Sequence, residues 1–193
     1  YSFATEKPQE EIEKDRADVI KSLLPVYQNN QQIAQYEIEG FTADFEIKWN
    51  TSGVNPSLKD EYRDVGVAIL TDIYSQGVMS LSKKYQQKGT HYNFTLLTDN
   101  VARQLNTIEV LSPERALKYA QEQLESQPEI QKKDWLLEII ADHIRQNFIY
   151  DEQLSEKIET EALNNISLTR GMVQKGELIV ANGAVITPEI FQK

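Results

Sequence analysis

Tyr92-Asn93-Phe94-Thr95-Leu96-Leu97, then Thr98-Asp99-Asn100, then Val101 through Val110: this stretch decides the fold class. Its two arms are rich in aromatic and β-branched residues, and turn formers separate them, so it reads as a β-hairpin or two short strands. The segments on either side carry mainly helical spacing. The expected class is therefore α+β, predominantly helical, with a small β-hairpin near 92–110 and a small Gly-rich β unit near 171–187.

Upstream, Pro8 to Leu24 places Ile12, Ala17, Val19, Ile20, Leu23 and Leu24 among charges, which predicts an amphipathic helix stopped by Pro25. Gln28-Asn29-Asn30-Gln31-Gln32 reads as a short polar connector. Ile33, Tyr36, Phe41, Phe45 and Trp49 then continue at helical spacing, although Gly40 leaves a strand pair as the competing reading. Asn50 to Ser57 is a loop dense in turn formers. Leu58 to about Leu81 predicts a long helix with Tyr62, Val65, Ile69, Ile73 and Tyr74 on one side. Gly66 and Gly77 inside it offer close helix packing, and Gly77 a helix end. Downstream, Ser112-Pro113-Glu114 is a helix entry with Ser as N-cap and Pro at the first position. Helices are expected at 113–126, 133–147 and 152–165. An echo between two acidic helical stretches, Ile12–Tyr27 and Leu154–Val173, suggests that the two ends of the chain share one substructure. From Gly171 onward, glycines separate short β-forming stretches, and Gly171, Gly176 and Gly183 are expected at structural turns or bulges.

The 193 residues suit one domain or two lobes, the lobes being a helical 1–90 and a mixed 91–193. With 20 basic and 30 acidic residues the formal net charge is -10, which argues against a nucleic-acid binder and against docking on anionic lipid. Absence of cysteine removes thiol catalysis, disulfides and thiolate metal sites. No run approaches the roughly 20 apolar residues of a membrane-spanning helix. The chain opens at Tyr1 without an initiator Met and stops at Lys193, one turn into the helix announced by Thr187-Pro188-Glu189. Such ends suit a domain taken from a longer protein.

Catalytic signals are sparse. His91 and His143 stand 52 residues apart, outside any metal spacing, and no nucleophile elbow, phosphate loop or dinucleotide fingerprint occurs. His143 among Ile139, Ile140 and Ile144 reads as a helix-packing histidine, and His91 as a surface residue. A catalytic carboxylate pair leaves no mark in sequence, and the acidic runs fall on predicted helices whose solvated faces explain them. No metal, cofactor or catalytic residue is expected in this chain.

Residues 147–157 (Asn147-Phe148-Ile149-Tyr150-Asp151 onward) and 170–189 (Arg170-Gly171-Met172-Val173 to Ala181-Asn182-Gly183-Ala184-Val185-Ile186-Thr187-Pro188-Glu189) resemble the end of the extracellular domain of bacterial seven-transmembrane receptors with an intracellular HD hydrolase. Pro25-Val26-Tyr27 and Tyr74-Ser75-Gln76-Gly77-Val78 are similar to further elements of that family. The likeness brackets nearly the whole chain, its specific part being the C-terminal third. Ala184 departs from it, since the family often has Glu there. The resemblance implies a membrane helix before the domain, a membrane bundle after it, and a cytoplasmic HD domain that hydrolyses a cyclic dinucleotide, cyclic di-AMP in one branch. It implies an extracytoplasmic location on a bacterial membrane, with both termini facing that membrane. It also implies partners in the parent's own transmembrane helices and HD domain.

Three functions follow: a non-catalytic sensor for an unknown external ligand; a structural or interaction module without a ligand, including a homodimer; and a secreted carboxylate hydrolase. For the first, Arg170, Lys175 and Glu177 around the Gly-rich turn are the candidate ligand-binding residues, with a solvated turn as the competing account.

Overall fold

The computed structural model describes residues 3–88 and 91–173. Its elements are β1 (Phe3–Glu6), α1 (Gln9–Ser22), β2 (Val26–Asn29), α2 (Gln31–Trp49), α3 (Lys59–Gln76), β3 (Asn93–Thr98), β4 (Val101–Asn106), α4 (Pro113–Glu125), α5 (Lys133–Asp142), β5 (Phe148–Tyr150), α6 (Glu152–Asn164) and β6 (Thr169–Val173). The α+β, mainly helical class holds. The chain divides into two compact units, one formed by Tyr1–Leu23 with Gln153–Lys193, the other by Leu24–Glu152.

In the first unit the two ends of the chain meet, because β1 pairs antiparallel with β6 from Glu6↔Thr169 to Phe3↔Val173. The register slips between Ala4 and Thr5, which leaves Gly171 as the extra residue on β6, where a bulge favours glycine. The Lys7 amide donates to the Leu168 carbonyl (2.9 Å), and Lys7 Nζ meets Asp15 at 2.6 Å. The helix α1 forms as expected and ends before Pro25, yet no side chain on it is fully buried.

The second unit joins four helices to a four-stranded sheet of order β4-β3-β2-β5, in which only β2 and β3 run parallel. On the helical side Phe41, Phe45 and Trp49 of α2 pack against Tyr62, Ile69 and Ile73 of α3 and Leu136, Ile139 and Ile140 of α5. The aromatic rings interlock, with centroids 5.3 Å apart for Phe45–Trp49 and 5.9 Å for Trp49–Trp135. Gly66 is buried in α3 because the Phe41 ring lies where a Cβ would stand, 2.1 Å from that position. The hairpin β3–β4 closes through Asp99 (φ 49°) and Asn100 (φ 66°), a pair of positive φ values that matches the right-handed strand twist.

One face of the sheet carries Tyr27, Phe94, Leu96, Phe148 and Tyr150, which form a second core with Met79, Tyr85, Tyr92 and Val110. The two cores join at the end of α3. Gly77 (φ 84°) ends that helix, and the ring of Phe148 fills the space beside its Cα. Asn147, 2% exposed, accepts from the Val78 amide at 2.7 Å and donates to the Tyr74 carbonyl at 3.3 Å.

Several expectations change. The polar connector at 28–32 begins inside β2, the central strand that pairs with both β3 and β5, because long-range pairing outweighs a local Gln/Asn composition. Helix α2 starts behind the N-cap Asn30, and the strand-pair alternative for that region falls. The helix expected at 133–147 ends at Asp142, since Tyr74 Oη takes the His143 carbonyl (2.5 Å) and the chain turns into β5. The helix expected to reach Leu81 stops at Gln76. Residues 107–109 form a 3-10 turn with a capping box between Asn106 and Glu109, instead of continuing the strand.

Candidate ligand cleft

Strand alternation builds a broad hollow in the second unit. On β4, Val101, Arg103 and Leu105 share the sheet face that carries the second core, and across the ladder Arg103 stands opposite Leu96. The face is filled by aromatic rings at one end and left open at the other, where the end of α3 and the turn at 107–110 rise above it. The result is a cleft of about 600 Å³. Leu96, Val110 and Phe148 form its apolar floor, while Asn29, Gln76 and Arg103 bring polar groups into it. Asp99 and Glu109 line its rim.

Two of these groups are unusual. The Oδ1 atom of Asn29 is buried and accepts no hydrogen bond. A buried polar atom without a partner costs on the order of 1–3 kcal/mol, so its retention in a cleft calls for an explanation. Arg103 is exposed and carries no ion pair or hydrogen bond to a described residue. The acids are partly engaged: Asp99 Oδ2 accepts from Gln31 Nε2 at 3.5 Å, and Glu109 Oε1 from the Asn106 amide at 2.8 Å. Each carboxylate has further acceptor capacity. Among the described residues, the cleft therefore offers one cation without a partner, one unsatisfied carbonyl and two acids over an apolar floor.

A second hollow of about 430 Å³ lies beside Met79, Leu111 and Pro113, with the exposed His91 at its edge. Several of its polar groups are already engaged within the fold. Ser112 caps α4 and holds the Glu114 carboxyl below its ordinary range, mainly through its side-chain hydrogen bond. Arg115 donates to the Val110 carbonyl at 2.9 Å. That hollow has less to offer a polar ligand.

His143 packs as the sequence suggests, edge-on to Phe41 at 6.2 Å, but it also makes contacts that spacing could not reveal. Its Nδ1 lies 3.0 Å from Glu37 Oε2 and its Nε2 3.2 Å from Asp44 Oδ2. The ring rests over Gly40, where an added Cβ would approach Cε1 to 3.0 Å. Both nitrogens are thus spent tying the end of α5 to α2. Among the described residues no group of three or more His, Asp or Glu side chains is arranged to hold a metal ion.

Of the sequence-based candidates, Arg170 and Gly171 fall within the described residues. Arg170 sits on β6 and its guanidinium grips Glu11, Nε approaching Oε2 to 2.6 Å. That hydrogen bond is the main reason the Glu11 carboxyl is lowered and the Arg170 guanidinium raised from their ordinary values. Gly171 is the bulge residue described above. Lys175, Glu177, Gly176 and Gly183 lie outside the described residues. Asn29 and Arg103 were passed over in the sequence, where the only signal was an arginine in the apolar phase of a strand, at Val101-x-Arg103-x-Leu105.

Comparison with known families matches the chain to the family described as 7TM-HD extracellular, over residues 7–193. No curated protein and no solved structure matches. Among the described residues no helix is long and apolar enough to cross a membrane.

Proposed function

Because this chain belongs to the 7TM-HD extracellular family, we propose that it is the signal-receiving domain of a bacterial membrane receptor whose cytoplasmic HD domain hydrolyses a cyclic dinucleotide. The family description makes it an extracellular domain, of a kind that suggests no catalysis in this piece. In the proposed scheme an external small molecule binds the domain and the membrane helices carry the bias inward. Cyclic di-AMP is the nucleotide hydrolysed in the parent.

The observation that supports this reading is the cleft on the sheet face. It combines concavity, an apolar floor and two polar groups without partners among the described residues, the usual make-up of a small-molecule site. Binding alone would send no signal. The ligand must favour one of two arrangements of the domain, by a coupling of typically 1–3 kcal/mol.

The test uses the full-length receptor in membranes. Filling the cleft with Leu96→Trp should change the rate of cyclic dinucleotide hydrolysis several-fold while leaving the nucleotide's KM unchanged. A rate indifferent to Leu96→Trp and to every added external compound would sink the sensor reading. The reading frame around this segment should encode one membrane helix before it, and several membrane helices and a His-Asp motif after it.

A further inference from the structure

We propose that the Asn29–Arg103 cleft binds a dipeptide-sized zwitterion, its carboxylate on Arg103 and its ammonium on Asn29 Oδ1 beside Asp99. This deepens the sensor reading and rests on it.

The charges at hand select the chemistry. Arg103 offers a planar pair of donors with no partner among the described residues, a geometry suited to a carboxylate. Asn29 Oδ1 is a buried acceptor awaiting a donor. Asp99 lies on the same rim and leaves room for a positive charge there. A simple anion would satisfy Arg103 and leave Asn29 unpaired against two acids. A simple cation would meet the arginine. A molecule carrying both charges answers both ends.

Dimensions choose its length. Arg103 is on β4 and Asn29 on β2, with β3 between them. Two strand spacings amount to about 10 Å across the sheet, and because Arg103 is level with Leu96 and Tyr27, Asn29 lies two residues, about 7 Å, further along, so the two positions are about 12 Å apart. A dipeptide spans about 7 Å at 3.3–3.6 Å per residue, and one hydrogen bond of about 2.9 Å at each end brings its reach to about 12–13 Å. A single amino acid bridges the gap poorly. Leu96, on the strand between the two polar groups, would receive an apolar side chain, with Phe148 flanking Asn29 on the far side, and Gln76 at the end of α3 can meet the peptide group.

Edge protection is the competing role for Arg103. β4 is an edge strand, and an inward-pointing charge discourages edge-to-edge association. The experiment separates the two.

The test is calorimetric titration of the whole chain with apolar dipeptides, with the same dipeptides N-acetylated or C-amidated, and with free amino acids. Free dipeptides should bind, and either cap should weaken binding at least about tenfold. Arg103→Gln should lose at least as much affinity for the uncapped dipeptides, with an unchanged melting temperature, because the arginine makes no ion pair or hydrogen bond to a described residue. Asn29→Leu should discriminate less between free and N-acetylated ligands. Capped and free dipeptides binding alike, or no dipeptide binding at millimolar concentration, would overturn the proposal. So would an Arg103→Gln variant that binds normally but self-associates, which would assign the arginine to edge protection. In the full-length receptor, hydrolysis that still responds to Leu96→Trp when no dipeptide binds would refute the zwitterion and leave the sensor reading standing.

Discussion

Replacing Gly66 with Ala sets two effects of known size against each other. Gly66 lies inside α3, where Ala is favoured over Gly by about 1 kcal/mol. Helix propensity alone therefore predicts a stabler protein. The added methyl, however, would stand 2.1 Å from Phe41 Cζ and 2.7 Å from Cε1. Carbon atoms pack best at about 3.5–4.0 Å, so ring or helix must retreat by about 1.5 Å. Phe41 has little freedom to do so. It is fully buried, with Phe45 on one side at 5.9 Å between centroids and His143 on another at 6.2 Å. Over-packing of this kind costs about 1–3 kcal/mol, and a contact this short belongs at the upper end. The net expectation is a loss of about 2 kcal/mol, or a drop in Tm of roughly 4–8 °C for a protein of this size. Urea unfolding followed by tryptophan fluorescence is the suitable assay, because both tryptophans, Trp49 and Trp135, sit in the same core. In a Phe41→Leu background, which makes room for the methyl, Gly66→Ala should recover at least about 1 kcal/mol of coupling energy. A Gly66→Ala protein as stable as the parent, or strict additivity with Phe41→Leu, would refute the close-packing argument.

Two further outcomes follow from buried tyrosines. Tyr150 Oη is buried with no hydrogen-bond partner, so Tyr150→Phe should leave the urea midpoint unchanged or raise it. A loss above about 1 kcal/mol would reveal a partner for that hydroxyl. Burial pushes the Tyr74 hydroxyl up to about 12 and, with help from the neighbouring Tyr27, Tyr92 higher still; Tyr119 is raised too, first by burial. An unfolded tyrosine titrates near about 10. The native fold therefore resists deprotonation, and its full stability is present below about pH 10. Above that the unfolded state ionises first, and stability falls as pH rises toward about 12, by about 3 kcal/mol from Tyr74 alone. Urea midpoints measured from pH 9 to 12 check this, and a flat profile over that window rejects it.

The helices were legible because their signals are local. Ser112-Pro113, the N-cap before α4, and Pro25 behind α1 punctuate the chain wherever the rest of it lies. The hairpin was equally local, since Thr98-Asp99-Asn100 dictates its turn. What escaped were strands of three or four residues, too short for a period to show. β2 exists because β3 and β5 flank it, and β5 because Asn147 and Tyr74 halt the preceding helix. The cleft was hidden for the same reason. Arg103 becomes notable only once β4 is known to turn that residue toward an apolar face, and Asn29 only once its strand buries the amide. The Glu37–His143–Asp44 tie joins residues about a hundred positions apart, which no spacing rule reaches.

The pairing of β2 with β5 also bears on the order in which the chain folds. Tyr27 stands opposite Tyr150, and the Asp151 amide donates to the Val26 carbonyl at 2.8 Å. The inserted unit thus brings its own entry and exit points together. Before it folds, the β1–β6 ladder would have to close a loop of some 160 residues, with the entropy that such closure forfeits. Afterwards only the two short arms remain to be joined. Residues 24–152 should accordingly gain amide protection first, and the terminal ladder last, as a late clasp on a finished insert. Pulse-labelling hydrogen exchange that found β1 and β6 protected ahead of β2 and β5 would reverse that order.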